Sequence, residues 1–309
     1  MTRYLLTRLG TTIVAIWGAL SVVFICLNLS GSPVVFFVQP GASKAQIAQV
    51  THALGYDRPL VVQYLDFLRE TVTGSLPNSL EYGRPAMSVV MDRLPATLEL
   101  AGAALVIGLV IGLVLGFIAA TTRVRIIRAA AMSIVVMGQA IPSFYLGILA
   151  ILAFSVRLHW LPSEGDLGFS SIILPAVTLA LSVGPPIARV FRTSVVQVLN
   201  EDSIRTARAK GVRRMRLFLR HVIPNACLPV ITVIGLEAGA LLGGTVIVET
   251  IFSWPGVGQL AINALLQRDY PVVLATVTIL IIAFIIVNFI VDMIYLVVDP
   301  RTRGAVSEA

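Results

Sequence analysis

Long apolar runs alternate with short polar segments along this chain. A bilayer span needs about 20 mostly apolar residues, and six stretches have that character: 9–29, 100–120, 129–156, 172–188, 227–248 and 272–298. The third is interrupted by "QAIPSFY", and the fourth holds three prolines. The pattern predicts an all-α membrane protein with six transmembrane helices, the first of which stays in the mature protein because no signal-peptide exit follows it.

The polar segments divide the chain further. Residues 30–97 combine an amphipathic part with a turn-rich part, which predicts a small helical subdomain with two short helices between the first two spans. Residues 98–298 form the main membrane body, which includes the basic loop 189–222. Within 250–271, the turn "SWPG" should end the fifth span, and "VGQLAINALLQ" has helical spacing. Residues 299–309 form a short tail.

Composition supports a membrane protein and charge predicts its orientation. Hydrophobic residues make up 57% of the chain and charged residues 13%. Placing both termini in the cytoplasm puts 16 of the 23 Lys and Arg residues on the inner side, as the positive-inside rule requires. The net charge of +7 is then explained by orientation and by contact with anionic lipid. No nucleic-acid motif competes for it.

The inner loop 189–222 carries a helix, a glycine turn and a second helix. Asn200 is a suitable N-cap, with Glu201 and Asp202 in the first turn. Arg208 and Lys210 lie in the last turn, and Gly211 ends the helix. The second helix should pack its apolar face on the spans through Met215, Phe218, Leu219 and Val222. On spacing alone, a plain basic loop next to the membrane is an equal alternative.

The segments "EDSIRTARAKG" and "LRHVIPNA" resemble the cytoplasmic motif of permease subunits in bacterial ATP-binding-cassette importers, in the branch for dipeptides, oligopeptides and nickel. Gly211, Ala207, Ile223 and Pro224 fit that motif, whereas Arg205 and Thr206 replace its leading Glu and Ala. The blocks "LGYDRPLVVQYLDFL", "RLPATLEL", "ETIFSWPGVGQL" and "RDYPVV" extend the resemblance over most of the chain. One departure is "SGSP" at 30–33, where Ser32 stands in place of a common Asp.

The resemblance implies a type I importer permease in the bacterial inner membrane with no catalytic residues and no cofactor of its own. ATP and Mg²⁺ would be bound by two partner ATPase subunits, and a second permease and an extracytoplasmic binding protein would complete the complex. Consistent with this, the chain lacks the phosphate-binding pattern G-x-x-x-x-G-K-[ST]. The residues expected to contact an ATPase are Glu201, Asp202, Ser203, Arg205, Thr206, Ala207, Arg208, Lys210 and Gly211.

Three further groups lie within the spans. Glu237 is costly in a bilayer, which indicates either a group lining the pathway or a hydrogen bond between spans. Pro142 and Pro185 are candidate hinges bordering the pathway, or kinks tolerated by their neighbours. Gly108, Gly112 and Gly116 repeat every four residues, which favours close helix packing within the chain or against a partner permease.

Other functions fit less well. An ion-coupled secondary transporter would show inverted repeats and midplane ionisable relays, and the sequence shows neither. A membrane protease would carry H-E-x-x-H or G-x-S-x-G, and both are absent. We expect no metal site, because His52, His159 and His221 are scattered. The substrate class expected from the resemblance is peptides, with glutathione, nickel chelates and haem as alternatives.

Overall fold

A computed structural model describes residues 2–29, 38, 42–53, 56–165 and 168–298. Ser32 and the tail 299–309 lie outside these residues. The described elements are α1 (Thr2–Leu29), α2 (Lys44–Ala53), α3 (Leu60–Thr73), α4 (Ala86–Thr121), α5 (Arg125–Ala140), α6 (Ser143–Ala150), α7 (Phe169–Leu199), α8 (Asp202–Ala209), α9 (Arg214–Leu217), α10 (Ile223–Ile251), α11 (Val257–Gln267) and α12 (Tyr270–Val298). Two π-helical segments, Ile151–Arg157 and Phe218–Val222, continue α6 and join α9 to α10.

Two compact units make up the chain: Met1–Thr97 with Pro255–Ile285, and Leu98–Trp254 with Ile286–Ala309. The first unit contains the two short helices that the sequence predicts between the first spans, α2 and α3. Phe24 of α1 packs against Tyr64 and Phe67 of α3, with ring centroids 5.3 and 5.6 Å apart. Ser21 and Tyr64 share a hydrogen bond of 2.6 Å between their hydroxyl oxygens. Helix α3 therefore anchors the C-terminal half of α1.

The core of the first unit lies between the start of α4, helix α11 and the start of α12. Val89, Val90, Val257 and Val272 are among its fully buried residues. The backbone N–H of Val257 donates to Thr97 Oγ1 at 2.8 Å, which satisfies one free donor at the start of α11. Helix α11, which the helical spacing of "VGQLAINALLQ" predicts, is thus held by apolar packing and by a hydrogen bond that it donates to α4.

A buried carboxylate joins two distant parts of the same unit. Asp269 is 1% exposed and accepts hydrogen bonds from the Ser79 hydroxyl and from the Glu81 backbone N–H, the latter at 3.2 Å. The Val272 N–H, in the first turn of α12, lies 3.5 Å from its other oxygen. These donors and the positive end of α12 offset the cost of burying the charge. The turn at 79–82 is thereby fixed against α12.

Helix α7 is the centre of the second unit. Of its apolar window 72% is buried, compared with 33% or less for each other membrane-length helix among the described residues. Helices α5, α6 and α10 all pack on it. Helix α7 runs to Leu199, well beyond the predicted end of the fourth span at 188, and passes through Pro175, Pro185 and Pro186 without a break.

The predicted third span is not one straight helix. Helices α5 and α6 meet at a bend of 104°, so the described residues contain five membrane-length helices, or six if this bent pair counts as one span. The break has a local cause: Pro142 disfavours helical geometry in the residue before it, and Ile141 is extended at φ −93° and ψ 125°. Pro142 itself precedes α6 as its N-terminal cap residue.

The second span also differs from its predicted bounds. Helix α4 has 36 residues, which corresponds to about 54 Å, whereas a bilayer core is about 30 Å thick. Its first turns, from Ala86, belong to the apolar core described above rather than to a loop. Pro95 lies inside the helix without ending it. Hydrophobicity alone located the later part of the helix and left out its extension from Ala86.

Candidate coupling surface and membrane pathway

Helix α8 forms an elbow, residues 200–212, between α7 and α9. Of its nine predicted contact residues, Ala207 is half-buried and the other eight are exposed: Glu201, Asp202, Ser203, Arg205, Thr206, Arg208, Lys210 and Gly211. The Ser203 hydroxyl donates to Glu201 Oε2 at 3.1 Å, and Arg205 Nη1 lies 3.3 Å from Asp202 Oδ1. These contacts order the polar side of α8 and leave most of its donors and acceptors to other partners.

Gly211 follows the end of α8 in the left-handed conformation that the sequence predicts for it. Its φ of +76° lies in the left-handed region, and the Val212 N–H donates to the Ala207 carbonyl oxygen at 3.2 Å. A Cβ added here would meet no atom within 4 Å, so the requirement for glycine comes from the backbone conformation and not from crowding. The turn directs the chain from α8 into α9.

The N-terminal cap of this helix was predicted wrongly. Glu201, extended at φ −69° and ψ 148°, occupies the cap, so only Asp202 lies in the first turn. Asn200 is instead the residue that ends α7. The reason is that α7 continues to Leu199, so one extended residue is needed to reverse direction before α8 can start. The negative charge at the start of α8 still matches the helix dipole.

One residue of α8 was missed by the sequence reasoning. Ile204 is 2% exposed and is the sole buried residue of α8. Helix α8 as a whole contacts α9. A single apolar position in a polar eight-residue helix gives no periodic pattern from which to predict burial. Ile204 fixes the elbow to the rest of the unit, while the polar side chains around it remain exposed.

The predicted apolar face of the second helix is half correct. Phe218 and Val222 are buried, but Met215 and Leu219 are 72% and 61% exposed, and Leu217 is buried instead. The cause is the π-helical segment Phe218–Val222, whose wider turns change which positions share a face. Helix α9, the π-helical segment and α10 form one continuous run from Arg214 to Ile251, so Pro224 and Pro229 do not interrupt it. The Asn225 amide donates to the His221 carbonyl oxygen at 2.7 Å beside Pro224.

The glycine repeat of α4 lies against α7. A Cβ at Gly108 would come within 2.9 Å of the Val183 side chain. At Gly112 it would lie 2.8 Å from the Gly184 carbonyl oxygen, and at Gly116 2.7 Å from the Ala188 carbonyl oxygen. Gly138 of α5 makes a similar approach, with its Cβ position 2.7 Å from the Leu181 carbonyl oxygen. Backbone therefore packs directly on backbone along much of α7.

The two prolines and the carboxylate proposed for the pathway lie in different settings. Pro142 is exposed at the bend between α5 and α6, whereas Pro185 is buried in the unbroken α7. The added Cβ of Gly138 would lie 3.4 Å from the Pro185 ring. Glu237 is half-buried on α10, and Arg189 of α7 is near enough to interact with it electrostatically. The structure thus places Glu237 near a basic residue, Arg189.

Comparison with known proteins identifies the family. Residues 112–304 match the family model described as "Binding-protein-dependent transport system inner membrane component". The chain belongs to this family. It is therefore a multi-pass inner-membrane permease component of a binding-protein-dependent ABC importer, and such components generally work with a partner permease, ATPase subunits and a binding protein.

Relatives and solved structures agree with this family. The glutathione transport system permease protein GsiC of Escherichia coli O6:H1 (strain CFT073) is 38% identical over 98% of this chain and 99% of its own length. The same protein of Salmonella choleraesuis (strain SC-B67) is 37% identical over the same shares. A MetNI methionine ABC transporter structure shares the fold at a TM-score of 0.60 and 21% identity, covering 70% of this chain and 98% of its own. The fold is that of type I ABC importer permeases, as the sequence resemblance implies.

Proposed function

We propose that this chain, together with a related permease, forms the membrane pathway of an importer for glutathione or another small peptide. The observation that carries the substrate class is the 38% identity to glutathione permeases over 98% of the chain. ATP is bound and hydrolysed by separate ATPase subunits, and an extracytoplasmic binding protein delivers the substrate. This chain holds no catalytic group in that scheme and binds no cofactor.

The substrate assignment is tested in a reconstituted importer. The chain, its partner permease and the ATPase subunits would be placed in proteoliposomes with the binding protein, and ATP-dependent uptake of labelled glutathione compared with that of a labelled dipeptide and haem. Saturable glutathione uptake that requires the binding protein is expected. Uptake of haem alone, or uptake that continues with inactive ATPase subunits, would contradict the proposal.

The elbow is the surface through which the ATPase acts in this proposal. Its polar side is exposed and its Ile204 is buried in the unit. Only Asn200 and Glu201 separate its helix α8 from α7. Moving an importer from 1:99 to 99:1 between two states needs about 5.5 kcal/mol. A docked helix with several charge-assisted hydrogen bonds supplies an interaction of that order, whereas one exposed ion pair does not. This requires the elbow to lie in the cytoplasm, as the charge distribution predicts.

Substitutions in the elbow separate docking from folding. Ala207→Glu keeps the backbone but adds a charge on the half-buried side of α8, so we expect loss of ATPase co-purification and of uptake. Gly211→Val forces a β-branched residue to φ +76°, at a cost of at least about 1–2 kcal/mol, and should also impair uptake. Gly211→Asn is the matched control, since Asn tolerates the left-handed region. Full uptake and normal ATPase association in Ala207→Glu would refute the docking role.

Glu237 is proposed to line the pathway with Arg189 as its electrostatic partner. Helix α10 ends at Ile251, 14 residues after Glu237, which places this carboxylate about 21 Å from that end of the helix, well inside the span. Uptake by Glu237→Gln, Arg189→Gln and the double variant would be compared at fixed ATPase activity. We expect non-additive losses in apparent substrate affinity. Unchanged affinity in both single variants would leave Glu237 as a structural group only.

A further inference from the structure

An apolar groove lies on the second unit between α4, α7 and the joined helices α9 and α10. Its volume is about 420 Å³, which falls in the range of about 300–1,000 Å³ typical of small-ligand sites. Lining residues include Val114, Phe117, Phe191, Phe218, Leu219 and Cys227, and the remaining ones are aliphatic or Met. No polar atom contributes to its surface. A groove with this lining selects a hydrocarbon group, because any polar group placed there would lose its hydrogen bonds.

The groove can be reached from the hydrocarbon of the bilayer. Val106, Val110 and Val114 are 62%, 55% and 51% exposed, and their spacing of four residues places them in one row along α4. Val114 is also a wall of the groove. The exposed apolar row of α4 therefore leads directly into the groove. Met215 and Leu219, the residues that the π-helical segment leaves exposed, form part of the opposite wall.

The rim of the groove is basic. The Arg214 guanidinium carbon lies 5.9 Å from the centroid of the Phe218 ring, which lines the groove. Arg128 donates to the Thr122 carbonyl oxygen at 2.8 Å, which places its guanidinium beside the residue that follows α4. The side-chain ion pairs found among the described residues involve neither of these arginines. Their charge is therefore free to bind an anion.

Acidic residues are absent from the surrounding sequence. No Asp or Glu occurs in residues 100–163, 167–200 or 203–236, which include every residue that lines the groove. An anion at the rim would thus meet basic side chains without a competing carboxylate from these segments. The apolar walls match the acyl chain of an anionic phospholipid, and the positive charge at the rim matches its phosphate.

We propose that this groove binds one acyl chain of an anionic phospholipid, with the phosphate held by Arg214 and Arg128. The lipid fills the gap between α4 and the π-helical segment, next to the elbow. A protein helix from a partner subunit is the competing occupant. Lipid fits better, because the groove continues the exposed valine row of a membrane helix and because Arg214 places a positive charge beside its wall.

The test uses the full chain in nanodiscs of phosphatidylcholine containing a spin-labelled lipid, either phosphatidylglycerol or phosphatidylcholine. Electron paramagnetic resonance measures the immobilised fraction. We expect selective immobilisation of phosphatidylglycerol, about five-fold weaker in Arg214→Gln, the effect of about one basic residue near the surface. Arg157→Gln, an exposed arginine away from the groove, should leave the selectivity unchanged. Equal immobilisation of both lipids by the unaltered chain would overturn the proposal.

Matched bulky substitutions test the groove itself. Val114→Phe fills it and should abolish the selective signal, whereas Val106→Phe, two turns away in the same exposed row, should not. A measurement that needs no groove variant uses Cys26→Ser, which leaves Cys227 as the single cysteine. Phosphatidylglycerol should slow the labelling of Cys227 by a membrane-permeant maleimide relative to phosphatidylcholine. Equal labelling rates in the two lipids would overturn the assignment.

Discussion

Replacing Gly116 by Ala tests the backbone contact between α4 and α7. The added Cβ would lie 2.7 Å from the Ala188 carbonyl oxygen and 3.2 Å from the Ala188 Cα. Ordinary contacts of a Cβ begin near 3.4 Å. Both atoms belong to the backbone of a buried helix, so no side-chain rotation can relieve the clash. The two helices must separate by several tenths of an ångström along this contact.

Two opposing terms determine the expected change in stability. Extra volume in a well-packed core costs about 1–3 kcal/mol. Ala is favoured over Gly inside a helix by about 0.8–1.0 kcal/mol. Gly102→Ala is the matched control: it is in the same helix, and its Cβ would meet no atom within 4 Å, so it experiences the second term alone. The difference between the two variants therefore isolates the contact, at about 1–3 kcal/mol.

Equilibrium unfolding in mixed micelles, with increasing SDS and helical circular dichroism as the readout, measures both variants against the unaltered chain. Gly102→Ala should be as stable as the unaltered chain or more stable, and Gly116→Ala should be less stable than Gly102→Ala. If the two variants unfolded at the same SDS fraction, the close approach of α4 to α7 would not contribute to stability, and the packing argument would be refuted.

Two further outcomes concern the first unit. Asp269→Asn weakens a buried acceptor of two or three hydrogen bonds and should lower the free energy of unfolding by about 1.5–3 kcal/mol. Asp92→Asn breaks an exposed ion pair with Arg84 and should lower it by less than about 1 kcal/mol. Thermal unfolding of both variants measures the difference. Burial raises the pKa of Glu70, with the nearby Asp66 carboxylate adding to the shift. The stability that Glu70 contributes is therefore present at low pH and lost as pH rises through its folded pKa. Glu70→Gln should raise the melting temperature at pH 7.5 but not at pH 4. An equal change in melting temperature at the two pH values would contradict the raised pKa.

The sequence contained enough information for the membrane helices and for one packing surface. Run length and hydropathy identify spans because the bilayer imposes a minimum length. The repeat of Gly108, Gly112 and Gly116 predicts a face that another backbone can approach, and that face lies on α7. Which helix would cover it was open, since a glycine repeat specifies the approach distance and not the partner.

Contacts that depend on tertiary structure could not be predicted. Ser79 and Asp269 are 190 residues apart, and neither has a local pattern that indicates a buried pair. The π-helical segment Phe218–Val222 changes the helical phase, so a regular period of 3.6 residues assigned Met215 and Leu219 to the wrong side. Ile204 was missed because one buried residue in a short polar helix carries no periodicity. These errors all come from geometry that local propensity does not determine.

The packing of the second unit bears on how motion of the elbow would reach the membrane. Only Asn200 and Glu201 separate α8 from α7, so a displacement of α8 acts on the end of a helix that is buried along most of its length. At Gly112, Gly116 and Gly138 the neighbouring helices contact α7 through backbone atoms, which cannot absorb a shift by changing rotamer. On the proposed function, α7 would therefore carry α4 and α5 with it, and the bend at Pro142, where α5 ends, is the nearest place at which the chain could yield. Loosening the contact at Gly116 should then weaken coupling between ATP hydrolysis and uptake even where the helices still insert and fold.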